Sequence, residues 1–175
     1  MPQFFDEYAP IDQREHRLPH WQQDDVACFI TWRLNDALPT GVAQQWRVER
    51  EAWLRHHPHP WDDATEHEYH QRFSENIERL LDQGSGSCLL RASENARIVA
   101  AAFMRFNGDC YEMDAFVVMP NHVHVLFRPN APHTLSKIVK GWKGSTAREL
   151  NLSLGRSGPL WQEDYWDRLL RSEEH

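Results

Sequence analysis

The chain has 175 residues with 26 acidic against 19 basic side chains, a formal net charge of −7 with histidine neutral, which excludes a protein that coats nucleic acid by bulk charge and confines any such site to a local patch. Its 41% hydrophobic and 11% aromatic content is enough for one well-filled globular core, and the length argues against a second full domain. No run approaches the roughly 18 apolar residues that a membrane span needs.

Taken in chain order, residues 1–24 are polar and punctuated by Pro10 and Pro19, which predicts an irregular arm ahead of a single domain over 25–175. Cys28-Phe-Ile-Thr-Trp32 is a β-prone run closed by Asn35 and Asp36, giving a first strand over 26–33. Val42 to Arg55 has good helix propensity, with Trp46 and Trp53 two turns apart on one face and Pro58 and Pro60 beyond it. A second helix opens at the capping residues Asp62, Asp63 and Thr65. It places Tyr69, Phe73, Ile77, Leu80 and Leu81 on one side and stops at Gly84.

A third helix runs from about Glu94 to Phe106, with Ile98, Val99, Ala102, Phe103 and Phe106 on its apolar side and Gly108 after it. Tyr111 to Met119 and His122 to Arg128, joined at Pro120-Asn121, read as a β-hairpin. Thr134 caps a fourth helix whose Leu135, Ile138, Val139, Trp142 and Thr146 share a face, while Lys137, Lys140, Lys143 and Arg148 point away from it. Inside that helix Gly141 and Gly144 each cost roughly 1 kcal/mol relative to alanine, which implies close approach of a partner or a break in the helix. A loop over 151–159 then leads into a mixed segment, 160–171.

The cysteines, Cys28, Cys88 and Cys110, are odd in number and form no C-x-x-C pair, so they are read as buried thiols in a reducing compartment. The first residues are acidic where a signal peptide needs a basic start and an apolar stretch, which makes the expected location cytoplasmic, with no membrane partner. Charge is unevenly divided. Residues 1–132 carry 12 basic and 20 acidic side chains, whereas 133–171 carry 7 and 4, an arrangement expected of a basic working surface on an acidic scaffold, or of chance sampling.

His122 and His124 are two apart on the hairpin's second strand, so both imidazoles project from one face while Val123 and Val125 fill the other. Two ligands on a rigid strand face form a platform for a divalent ion, which needs at least one further ligand from another element. The bland alternative is a pair of half-buried, hydrogen-bonded histidines. Two other histidine clusters do not carry chemistry. His67-Glu-Tyr-His70 has i, i+3 spacing where the H-E-x-x-H zinc motif needs i, i+4, and His56-His-Pro-His59 reads as a connector between turns.

The string Met119-Pro-Asn-His-Val-His124, set in Ala115 to Phe127 and followed by the basic helix, Leu160-Trp-Gln162, Asp167-Arg168 and Arg171, resembles the REP-associated tyrosine transposases, members of the single-tyrosine HUH transposases. The likeness extends through Leu18-Pro-His-Trp21, Phe29 to Leu34, Gly84 to Cys88, Ser136 to Ala147 and Trp161 to Glu174. It implies an α+β fold, a ferredoxin-like antiparallel sheet backed by helices, with an extra helical region in the N-terminal half. It further implies single-stranded or hairpin DNA as partner, a homodimer, and Mg²⁺ or Mn²⁺ held by His122 and His124 for cleavage and joining through a 5′-phosphotyrosine.

In the family the nucleophilic tyrosine lies on a later helix, and this chain stops at His175, where that helix is expected to begin. Tyr165, the one tyrosine of the final segment, is the candidate nucleophile, with an aromatic packed beside Trp166 as its alternative. A chain that has lost the helix and a piece of a longer protein fit equally, and both predict weak or absent cleavage. Lys137, Lys140, Lys143, Arg148, Arg168 and Arg171 are the candidate phosphate contacts, against a plain solvated helix face. Trp142 and Trp166 are candidate stacking groups if exposed, Trp142 being expected in the core. Besides a transposase-type enzyme, two readings stand: a non-catalytic DNA-hairpin-binding module and a metal-dependent phosphoesterase.

Overall fold

The computed structural model describes residues 12–15, 19–22, 26–58, 61–163 and 165–169. The described strands are β1 (Asp12–Glu15), β2 (Pro19–Gln22), β3 (Cys28–Arg33), β4 (Tyr111–Val118), β5 (His122–Pro129) and β6 (Trp166–Leu169). The helices are α1 (Thr40–His56), α2 (Asp63–Tyr69), α3 (Glu75–Asp82), α4 (Ser93–Met104) and α5 (Leu135–Ser153). The chain divides into two compact units, residues 36–88 forming one and the flanking segments the other.

In the larger unit a four-stranded sheet has the order β4-β5-β3-β6 with every pairing antiparallel. With α4 between β3 and β4 and α5 between β5 and β6, this is the βαββαβ ferredoxin-like arrangement in an α+β fold. The fourth strand was legible only as a mixed segment, because β6 is short and acquires its strand character from pairing with β3. Part of the stretch read as an irregular arm is also strand: β1 and β2 pair antiparallel, Asp12 opposite Gln22.

One face of the sheet packs on the helices. Ile30 pairs with Val125 and Trp32 with Val123, and all four are buried together with Val99 and Phe103 from α4 and Val139 and Trp142 from α5. Trp142 is the hub: its ring centroid lies 4.8 Å from Phe127, 4.8 Å from Tyr111 and 5.1 Å from Phe103. Its Nε1–H donates to the Tyr111 hydroxyl at 2.9 Å, and that hydroxyl donates to the Phe103 carbonyl at 2.8 Å. Every polar atom of this pair of rings thus has a partner inside the core, as buried polar groups require. Helix α4 ends at Met104, so Phe106, expected on its apolar side, lies past the helix and is half exposed.

In the smaller unit Trp53, Tyr69 and Phe73 form a cluster with Trp46, Leu54 and Trp61. Arg50 is buried among them, its Nε donating to the Tyr69 hydroxyl and its guanidinium lying 5.7 Å from the Trp46 ring and 5.4 Å from the Tyr69 ring. The second predicted helix is continuous in outline but passes through a π-helical turn over His70–Ser74. Its buried residues Tyr69, Phe73, Ile77 and Leu81 recur every four positions, a spacing that drifts around an α-helix by about 40° per step, and a wider turn reduces that drift. His67 is exposed, while His70 lies 3.0 Å from the Ser74 hydroxyl. His56 and His57 end α1, each with Nδ1 at hydrogen-bond distance from the carbonyl four residues back.

Candidate metal centre and basic helix face

The second face of the sheet is polar around the start of β5. Register places Thr31 opposite His124 and Arg33 opposite His122, so these four side chains lie on the face that Ile30, Trp32, Val123 and Val125 do not use. Thr31, Arg33 and His122 are nonetheless buried, His122 to 1% exposure. The turn before β5 is fixed by backbone bonds from Leu34 N–H to the Asn121 carbonyl and from Met119 N–H to the His122 carbonyl. The downstream segment is tied to the same end of β3: Trp161 bridges to Leu34, and Gln162 N–H donates to the Arg33 carbonyl.

The two imidazoles meet at their Nε2 atoms, 3.0 Å apart. Each is oriented from behind. His122 Nδ1 lies 2.8 Å from Asn121 Oδ1, and an oxygen there requires the Nδ1–H to donate. His124 Nδ1 lies 2.7 Å from the Thr31 hydroxyl, and its ring stacks on Phe29 with centroids 5.5 Å apart. When both Nδ1 atoms carry the proton, both Nε2 lone pairs point into one gap, which a cation stabilises. Without a cation, a proton on one Nε2 must bridge the two. A separation of 3.0 Å suits one bridging proton and also lets both nitrogens face one cation.

The sequence reading identified the two imidazoles and missed the groups that hold them. Asn121 and Thr31 are the orienting partners of the kind that metal-ligating histidines use. The signal available was their place in Pro120-Asn121-His122 and in the first strand, but a cross-strand partner cannot be picked without the register. Among the described residues no group of three or more His, Cys, Asp or Glu side chains is arranged to hold a metal. An ion on this pair would need at least one further ligand beyond the two imidazoles.

The remaining candidates are distributed elsewhere. Lys137, Lys140 and Arg148 are exposed on α5, opposite the buried Leu135, Ile138, Val139, Trp142, Thr146 and Leu150. They project away from the sheet, so the sheet separates them from the histidine pair. Lys143 is engaged differently: its Nζ donates to the Gln162 carbonyl at 2.5 Å and to the Glu163 carbonyl at 2.7 Å, fastening the segment after α5 to the helix. Arg168 pairs in register with Phe29 on β6, and Arg171 lies outside the described residues. Tyr165 directly precedes β6 and is buried at 7% exposure, and Trp166 pairs with Thr31. Trp142 is core, as its helix face implied. Gly141 and Gly144 do not break α5, and among the described residues a Cβ added to either meets no atom within 4 Å.

The histidine strand, α5 and the segment up to β6 fall within a single family match. Residues 95–171 match the family Transposase IS200 like. The matched segment carries both imidazoles, Asn121 and the basic helix. No curated protein matches the chain. Solved structures similar to it include two transposases. One is a REP-associated tyrosine transposase bound to a REP hairpin, 16% identical over 92% of this chain, with a TM-score of 0.40. The other is a candidate transposase from Deinococcus radiodurans R1, 16% identical over 85% of this chain and 81% of its own, with a TM-score of 0.36. The chain spans 64% of the length of the first. No helix among the described residues is long and apolar enough to cross a membrane.

Proposed function

We propose that this chain acts in DNA transposition as a protein of the single-tyrosine HUH type, binding single-stranded or hairpin DNA as a homodimer and using Mg²⁺ or Mn²⁺ at His122 and His124. The observation that carries the reading is the facing Nε2 pair, 3.0 Å apart and oriented by Asn121 and Thr31, inside the segment that matches the transposase family. When bound there, the ion would polarise a phosphate oxygen and offset the charge that builds on it during displacement. The protein's part is to keep both Nδ1 protons engaged, so that Nε2 is the metal-facing atom of each ring. The sheet register also holds the two rings on one rigid face, where a mobile loop would allow the pair to spread.

Tyr165 is the candidate nucleophile. A phenol of ordinary pKa about 10 attacks poorly at neutral pH unless a nearby cation favours the phenolate, and a side chain at 7% exposure has to be uncovered before it meets a phosphate. That burial favours a second reading: a hairpin-binding module in which Tyr165 packs and does not react.

A denaturing gel and a native gel on the same samples separate the two. Labelled hairpin DNA is incubated with Mg²⁺ or Mn²⁺ and the protein, its His122→Ala variant or its Tyr165→Phe variant. Hairpin binding without a covalent adduct is expected. An adduct lost in both variants would make Tyr165 the nucleophile, and absence of any hairpin binding would overturn the function itself.

A further inference from the structure

We propose that the outer face of α5 is a track for the sugar–phosphate backbone of a DNA stem, and that Gly141 and Gly144 are the points of closest approach. The inference rests on the DNA-binding reading above and deepens it. At about 100° per residue, Lys137, Lys140, Gly141, Gly144 and Arg148 fall within an arc of about 100° on the helix surface. All five are exposed, and the single carboxylate of the helix, Glu149, falls outside that arc. On a chain of net charge −7, a stripe with three cations and no anion is complementary to a polyanion and to little else.

The glycines mark where that partner sits. A helix interior disfavours glycine because it adds backbone freedom to the unfolded chain and shields the helix backbone less. The usual compensation is close packing of another element against the missing side chain. Among the described residues that compensation is absent, since an added Cβ at either position meets nothing within 4 Å. The two positions are three apart and flanked by the cations, so the helix is notched where a strand of phosphates would cross it. From Lys137 to Arg148 the stripe is about 16 Å long, enough to run beside consecutive phosphates of one strand. No aromatic side chain lies on the stripe to stack an unpaired base, Trp142 being buried on the far side. The chemistry is that of backbone contact, which positions a stem without reading its sequence.

The test uses the full chain and a labelled hairpin of arbitrary stem sequence, with fluorescence anisotropy across a salt series and thermal unfolding on each protein. Gly141→Ala and Gly144→Ala are expected to raise the melting temperature, because alanine favours the helix. The same variants are expected to weaken hairpin binding several-fold without changing its salt slope, since no charge is lost. Lys140→Gln is expected to weaken binding and to lower the salt slope by about one.

Alanine variants that are stabilised and still bind as tightly as the parent would overturn the glycine contact. Lys140→Gln binding like the parent would overturn the track. A change of molar mass by light scattering in the alanine variants, without loss of hairpin binding, would assign the face to a second copy of the chain and overturn the proposal. A parent protein that binds no hairpin would refute the DNA-binding reading, an outcome distinct from all of these.

Discussion

The two faces of the central sheet are made by the same strands one residue out of step, and they solve opposite problems. On one, Ile30, Trp32, Val123, Val125 and Phe127 are buried, Trp32 and Phe127 against the Trp142 ring, and the polar atoms of Trp142 and Tyr111 are satisfied within the core. On the other, Thr31, Asn121, His122 and His124 are also largely removed from solvent, but their hydrogen bonds end at two Nε2 atoms that face each other. Burial on the first face serves packing, and burial on the second holds two imidazole nitrogens at a fixed separation. Substitutions on the two faces should therefore differ in what they remove.

The largest effect is expected on the helix-packed face. Trp142→Ala removes the ring that touches Phe103, Tyr111 and Phe127, and truncation of a buried tryptophan costs about 3–5 kcal/mol. Urea unfolding with an unchanged m-value would register it as lost stability, whether or not metal is present. A loss below about 1 kcal/mol would mean that Trp142 is not the hub of the unit.

The next effect belongs to the histidine face. Asn121→Ala removes the acceptor behind His122 Nδ1 and frees the ring to adopt the other tautomer. Outer-shell partners of this kind typically contribute 10–100-fold in metal affinity. Titration of Mn²⁺ by isothermal calorimetry should show that loss, and Mn²⁺ should raise the melting temperature of the variant less than that of the parent, as binding to the native state alone requires. Equal affinity in the two proteins would mean that Asn121 does not orient a ligand.

The difference between the faces also explains what could be read from the amino-acid order. Alternation within His122-Val-His-Val125 was visible because a strand's period is fixed by its backbone, and the same logic gave the hairpin and the helices before and after it. The partners of the histidines were not visible, because Thr31 reaches His124 only through a register set 93 positions away. Lys143 shows the same limit. Helical spacing grouped it with Lys137 and Lys140, and only the return of residues 161–163 onto α5 gives its ammonium two carbonyls to bind. Gly141 and Gly144 left two explanations open, and the unbroken helix removes one of them.

The smallest effect sharpens the contrast from the packed side. Tyr111→Phe deletes one oxygen and leaves the Trp142 N–H and the Phe103 carbonyl without their partner, at a cost of about 1 kcal/mol near neutral pH. Its signature is in the pH dependence. Burial pushes the Tyr111 phenol above its ordinary pKa, opposed in part by the hydrogen bond from Trp142. The unfolded chain then loses this proton at lower pH than the folded one. The stability linked to the proton is present in full below the unfolded value of about 10, and it falls as pH rises through that value towards the folded one. Tyr111→Phe removes this contribution, so the gap in stability between parent and variant should narrow above about pH 10. A gap that stays constant across that range would show that Tyr111 ionises equally well folded and unfolded, and that its hydroxyl is not sealed inside the core.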